Sequence, residues 1–102
     1  MKLWLDDVRP PPEGWTHGKT AEEVIEPLKT GQVIEASLDH DLGQDQPKGR
    51  TVALWMAEHQ VWPRDGISLH SMNSVGVEYM AGVIERYGPY ERVLGRPRFR
   101  PS

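Results

Sequence analysis

Short apolar runs alternate along this chain with segments of helical periodicity, and this alternation restricts the fold more than any other sequence feature. Apolar runs that indicate strands lie at residues 2–5, 33–38 and 67–70. Parallel strands need long crossover connections, which are usually helices that cover the sheet. We therefore predict an α/β fold, a small three-layer sandwich with a mainly parallel sheet.

One helical pattern lies between the first and second apolar runs, another follows the second run, and a third follows the third run. Thr20 and Glu23 match a capping box at the start of the first helix, and Pro27 predicts a kink or an early end of that helix because proline lacks the N–H group. A second helix is expected over residues 50–62. A third begins after Asn73 and ends at Gly88, a natural C-cap residue.

The length of 102 residues suits one domain. We expect a single receiver-sized domain over residues 1–95, with a candidate fourth strand at 90–94, and a basic tail over residues 96–102. The formal charge of -3 is too small to indicate a partner. Since the chain has no cysteine, a bound metal would need oxygen or imidazole ligands.

The apolar runs are also informative about localisation. The N-terminal run meets two acidic residues after only a few positions, unlike a secretory signal, and no run approaches the length of a membrane span. A cytoplasmic protein without a membrane partner is the expectation.

Polar side chains follow each of the three predicted strands. They are Asp6 and Asp7 after the first strand, Asp39, His40 and Asp41 after the second, and His70, Ser71 and Asn73 after the third. The carboxyl ends of parallel strands meet at one edge of a sheet, where open α/β folds bind their ligands. We therefore expect these side chains to converge.

Four carboxylates at one edge repel each other unless a positive charge lies among them. Because these motifs contain no lysine, a divalent cation, Mg²⁺ or Mn²⁺, is the expected counter-charge. Taken singly, the acidic pair could be a turn or cap, each histidine a structural residue, and Asn73 a simple N-cap. The helix that Asn73 precedes could also bind an anion such as phosphate at its N-terminus.

The motifs "LWLDDVRPPP", "SLDHDLG" and "LHSMNSVGVEYM" together resemble those of the cyclic-phosphate processing receiver family, compact relatives of response-regulator receiver domains. The resemblance covers nearly the whole chain. It implies a receiver-like, flavodoxin-like fold, here missing one βα unit, with Mg²⁺ held by Asp6, Asp7 and Asp39. It also implies that Ser71 contacts the phosphoryl group, and that the substrate is a cyclic phosphate such as an RNA end.

Two departures from ordinary receivers bear on function. No lysine ends the last candidate strand, which argues against a phospho-switch, and His40 and His70 suit proton transfer near neutral pH. The leading hypothesis is a metal-dependent phosphoesterase that acts on a cyclic nucleotide or a 2′,3′-cyclic phosphate RNA end. Its predicted catalytic residues are His40, His70 and Asp41, and its predicted phosphate-binding residues are Arg9, Ser71 and Asn73.

Two alternatives remain open at this point. The first is a binding module that sequesters a small phosphate-containing ligand without cleaving it. The second is a degenerate receiver in which Asp39 accepts a phosphoryl group.

Overall fold

The computed structural model describes residues 1–101. Its strands are β1 (Lys2–Leu5), β2 (Thr16–Gly18), β3 (Glu35–Leu38), β4 (Ile67–Leu69), β5 (Tyr90–Arg92) and β6 (Arg98–Pro101). Its helices are α1 (Ala21–Leu28), α2 (Arg50–His59) and α3 (Ser74–Tyr87). The α/β fold with a mainly parallel sheet is therefore confirmed.

The six strands form one sheet in the order β2-β1-β3-β4-β6-β5. The pairs β1–β2, β1–β3 and β3–β4 are parallel, whereas β6 runs antiparallel to both β4 and β5. The carboxyl ends of β1, β3 and β4 therefore share one edge of the sheet. This arrangement brings the three polar strand ends together.

The helices lie on one face of the sheet, so the molecule has two layers where we expected three. The connections through α1, α2 and α3 all advance in the same direction along the sheet, and right-handed crossovers then place all three helices on the same side. In agreement, α1 packs against α2 and α2 against α3. Only the β1–β2 connection runs the other way, and it is a proline-rich loop instead of a helix.

Residues 98–101 form strand β6, although we expected a basic tail over 96–102. Phe99 explains the difference. Its side chain is fully buried, and its backbone pairs with that of Ile67 in β4. Burying one aromatic side chain contributes enough apolar area to hold the segment on the sheet. Ser102, the last residue of the predicted tail, lies outside the described residues.

Local signals in the sequence correspond closely to the helix ends. Thr20 Oγ1 accepts a hydrogen bond from the Glu23 N–H at 3.2 Å, and α1 ends one residue after Pro27. Gly88 caps α3 through its N–H to the Ile84 carbonyl. Helix α2 ends at His59, earlier than the predicted end at residue 62. None of the helices within residues 1–101 is long and apolar enough to span a lipid bilayer.

Candidate functional site

An open cleft of about 520 Å³ lies at the carboxyl ends of β1, β3 and β4. Seven of the nine site residues predicted from the sequence line it: Asp6, Asp7, Arg9, Asp39, Asp41, Ser71 and Asn73. The two histidines, His40 and His70, do not line this cleft. The parallel strands thus bring the acidic side chains to one place and direct both imidazoles away from it.

Asp6 is the buried anchor of the cleft, with only 1% of its surface exposed. Its Oδ1 accepts hydrogen bonds from the backbone N–H groups of Val8 at 2.9 Å and Arg9 at 2.8 Å. Its Oδ2 accepts from Arg9 Nε at 2.9 Å and from His70 Nε2 at 3.1 Å. Burial raises the pKa of Asp6, but these backbone hydrogen bonds and the Arg9 charge outweigh burial and hold the pKa below its ordinary value.

Arg9 supplies positive charge that the sequence analysis assigned to a cation alone. Besides its bond to Asp6, its Nη2 donates to the His70 carbonyl at 3.0 Å and lies 3.8 Å from Asp39 Oδ2. The three polar motifs contain no lysine, and the guanidinium of Arg9 supplies part of the counter-charge in its place. One arginine among four carboxylates still leaves the cleft with an excess of negative charge.

The donor set fits a hard divalent cation. Asp6, Asp7 and Asp39 each offer a carboxylate oxygen, and these oxygens lie within 4.8 Å of one another. Each of the two Asp6 carboxylate oxygens already accepts two hydrogen bonds. The Asp7 carboxylate, in contrast, takes part in no hydrogen bond or ion pair within residues 1–101. Asp39 Oδ1 accepts only the His40 N–H, at 2.8 Å. Asp7 and Asp39 therefore have the lone pairs that a cation needs.

Asp41 faces the cleft in a fixed orientation. His40 Nδ1 donates to its Oδ1 at 2.8 Å, and the Asn73 side-chain amide donates to both carboxylate oxygens at 3.2 and 3.3 Å. The hydrogen bonds from His40 and Asn73 lower the pKa of Asp41, so this carboxylate is ionised at neutral pH. The Asn73 amide oxygen accepts the Gly76 N–H at 3.0 Å, which makes Asn73 the N-cap of α3 as well.

His40 lies behind Asp41, on the helical side of the sheet. It is 4% exposed, and its Nε2 is buried with no hydrogen-bond partner among the described residues. A Cβ atom at Gly76 would lie 2.3 Å from His40 Cγ, so the ring packs directly against the glycine backbone of α3. In this arrangement His40 orients Asp41 and has no direct path to a ligand in the cleft.

His70 lies on the opposite face of the sheet, where its ring contacts Asp6, Ser37 and Trp4. Since Asp6 can only accept, His70 Nε2 carries the proton, and Nδ1 accepts from the Ser37 hydroxyl at 2.7 Å. The ring stacks on Trp4 with 3.9 Å between centroids. Burial lowers the pKa of His70 more than the charges of Asp6 and Asp39 raise it, so the ring is neutral near pH 7.

Ser71 keeps a free donor in the cleft. Its Oγ accepts the Asn73 N–H at 3.1 Å, which leaves the hydroxyl hydrogen available to a ligand. Ser71 therefore presents a donor to the cleft that the carboxylates of β1 and β3 also line.

The sequence analysis missed the partners of His70, which are Ser37 and Trp4. A signal for them exists in the strands, because side chains alternate between faces with a period of two. Leu3, Leu5 and Leu38 are buried beneath the helices, which places Trp4 and Ser37 on the other face. The same alternation predicts that His40 and His70 point to opposite sides.

Comparison with known proteins places the chain in a family. The family model for the cyclic-phosphate processing receiver domain matches residues 1–86 of the 102. The matched region runs from β1 through nearly all of α3 and contains all three polar strand ends. No curated protein and no solved structure matches the chain. Because the family model covers most of its length, the chain belongs to the family of cyclic-phosphate processing receiver domains.

Proposed function

We propose that this domain is a metal-dependent phosphoesterase that opens a cyclic phosphodiester. The observation that carries the proposal is the pair of carboxylates with free lone pairs, Asp7 and Asp39, which lie in an open cleft beside Asp6; one oxygen from each of the three residues lies within 4.8 Å of the others. The family description adds the class of substrate, a cyclic phosphate. The reaction adds water across one ester P–O bond of the ring and yields a phosphomonoester.

Asp7 and Asp39 are the residues that would hold the cation, since their oxygens have lone pairs to spare. A bound Mg²⁺ or Mn²⁺ would supply Lewis-acid polarisation of a phosphoryl oxygen and a lower pKa for a bound water. Asp6 has a different role. It orients Arg9 and His70 through the hydrogen bonds that saturate both of its oxygens.

Two donors that line the cleft suit a phosphate group. The Arg9 side chain is 46% exposed, although Asp6 holds its Nε and the His70 carbonyl accepts from its Nη2. The Ser71 hydroxyl is the second donor. Donors that are already fixed in place stabilise the charge that develops on phosphoryl oxygens without further reorganisation.

Asp41 would contact a water molecule in the cleft more directly than either histidine. Asp41 is exposed and ionised, and His40 and Asn73 hold it in one orientation. Its lowered pKa makes it a weak base, so its contribution is to position a water molecule. Losing such a positioning contact costs less than losing a general base, which typically contributes about 10²- to 10⁴-fold.

The test is a turnover assay on 2′,3′-cyclic and 3′,5′-cyclic nucleotides with Mg²⁺ or Mn²⁺, compared between the parent protein and Asp7→Asn. Asparagine has nearly the same volume as aspartate but lacks its charge. We expect cleavage by the parent protein and a loss of at least about 10²-fold in Asp7→Asn, comparable to the loss of one electrostatic contact to a transition state.

Asp45→Asn is the matched control, because Asp45 is exposed in the nearby loop and does not line the cleft. Its left-handed backbone, with φ of 64°, also tolerates asparagine. Calorimetric titration with Mn²⁺ gives a second readout that does not depend on turnover. Binding by the parent protein and by Asp45→Asn, but not by Asp7→Asn, is expected; equal Mn²⁺ binding by all three proteins would contradict the role of Asp7.

A binding module that retains a cyclic phosphate without cleaving it is the second candidate. The hydrogen bonding of the histidines favours it: both nitrogens of His70 are occupied, and His40 is buried behind Asp41. No imidazole is therefore free to move a proton in the cleft. Tight binding with recovery of intact ligand after prolonged incubation with metal would support this candidate over the enzyme.

A further inference from the structure

A second cavity, of about 390 Å³, lies on the face of the sheet that carries no helix. Its lining includes the aromatic rings of Trp4 and Trp15, the Ser68 hydroxyl, and the charged side chains of Glu35, Arg96 and Arg98. His70 also lines it. Because His70 Nε2 donates to Asp6 of the acidic cleft, this imidazole lies between the two cavities.

The aromatic walls are built and held in place by the β1–β2 loop. The Trp4 and Trp15 rings meet edge to face, with centroids 6.2 Å apart and planes at 80°. The Trp4 indole N–H donates to the Arg9 carbonyl at 3.0 Å, and the backbone N–H of Trp15 donates to the Pro12 carbonyl at 3.2 Å. The prolines restrict the loop further. Trp15 is thus positioned before any ligand arrives.

Two arginines on this face have no acidic partner within residues 1–101. Arg100 pairs with Glu35 at 3.0 Å, but Arg96 and Arg98 form no ion pair with any residue in the range 1–101. Arg98, the first residue of strand β6, and Arg96, two residues before it, both line the cavity. An aromatic wall beside free guanidinium groups is the combination that binds nucleobases and their phosphates.

The distances along the strands suit one ligand that reaches both cavities. Trp4 precedes Asp6 by two residues and Ser37 precedes Asp39 by two residues, which is about 7 Å along a strand. A nucleoside spans a similar distance between its base and its phosphate. The Ser68 hydroxyl makes no hydrogen bond with residues 1–101, so it is available to a polar edge of the base.

We propose that the cavity between Trp15 and Arg98 binds the base of a nucleoside cyclic phosphate whose phosphate lies in the acidic cleft. This inference rests on the proposed function for the position of the phosphate, and it names the substrate as a mononucleotide. The base stacks against the tryptophan wall, and the arginines contribute charge and stacking to its edge.

The test is calorimetric binding of three ligands with Ca²⁺ in place of Mg²⁺ or Mn²⁺, so that a cation offsets the carboxylates of the acidic cleft while turnover is slowed, and intact ligand is measured afterwards. The ligands are adenosine 2′,3′-cyclic phosphate, adenosine, and 1-O-methylribose 2,3-cyclic phosphate, which lacks a base. We expect Trp15→Ala to weaken binding of both adenine ligands by about 5- to 150-fold, the effect of one lost stacking contact. Trp15→Phe should restore most of the affinity, and binding of the base-free ligand should not change.

Arg98→Gln should weaken binding of the cyclic nucleotide, whereas Arg86→Gln, an exposed charge change on α3, should not. Unchanged binding of adenine ligands to Trp15→Ala, or an equal loss for the base-free ligand, would overturn the inference. The inference would also be overturned if a longer RNA with a cyclic phosphate end binds and the mononucleotide does not. Failure of the proposed function is distinct, since adenosine binding would then still depend on Trp15 while no cyclic phosphate is cleaved.

Discussion

Gly76→Ala provides a sharp test of how His40 is held behind the cleft. A Cβ atom at residue 76 would lie 2.3 Å from His40 Cγ, 2.4 Å from Nδ1 and 2.7 Å from Cδ2. Ordinary contacts between such atoms are about 3.5–4.0 Å. The ring or the helix must therefore move by about 1 Å, and the ring is buried and bonded to Asp41.

The change in the free energy of unfolding caused by Gly76→Ala follows from two opposing effects. Alanine stabilises a helix interior over glycine by about 0.5–1 kcal/mol, whereas overpacking a buried site costs about 1–3 kcal/mol. Gly82 is the matched control in the same helix, because a Cβ there meets nothing within 4 Å. Gly82→Ala should stabilise the domain. Because the helix gain is common to both variants, Gly76→Ala should be less stable than Gly82→Ala by the cost of overpacking alone, about 1–3 kcal/mol.

Urea denaturation of both variants measures this difference. In a His40→Ala background, Gly76→Ala should lose most of its cost, because the overlapping ring is gone. Equal stability of the two glycine variants would refute the reasoning. A cost that persists without the His40 ring would refute it as well, since it would assign the strain to another neighbour.

Three further predictions concern stability. Phe99→Ala should cost about 3–5 kcal/mol in urea denaturation, whereas Leu94→Ala, at a side chain that is 97% exposed, should change stability by less than about 0.5 kcal/mol; equal effects would contradict the placement of β6 in the sheet. Thr20→Ala should cost about 1 kcal/mol through the lost N-cap of α1, measured in the same way, and Thr20→Ser should restore it. Burial raises the pKa of Tyr90, whose hydroxyl donates to the Pro63 carbonyl, so the folded domain keeps this proton where the unfolded chain loses it. Stability should therefore fall as the pH rises above about 10, less steeply in Tyr90→Phe; a pH dependence of stability that is the same in both proteins would contradict the burial of this hydroxyl.

Much of the architecture follows from local signals in the sequence. The alternation of apolar runs with helical patterns predicts the parallel strands β1, β3 and β4, and the Thr20 and Gly88 caps mark helix ends that the structure confirms. These signals depend on neighbouring residues only. The convergence of Asp6, Asp7 and Asp39 is also predictable, because parallel strands bring their carboxyl ends to one edge whatever the detailed packing.

Other features depend on contacts between distant residues, which local patterns do not encode. Phe99 is a single apolar residue among arginines and prolines, and only its burial against the sheet makes the segment a strand. Arg9 becomes a partner of Asp6 because the loop turns back over the end of β1. The separation of His40 from His70, one beneath the helices and one on the open face, was decided by the direction of the crossovers. That direction sends every helix to one side of the sheet and leaves the other side to a proline-rich loop.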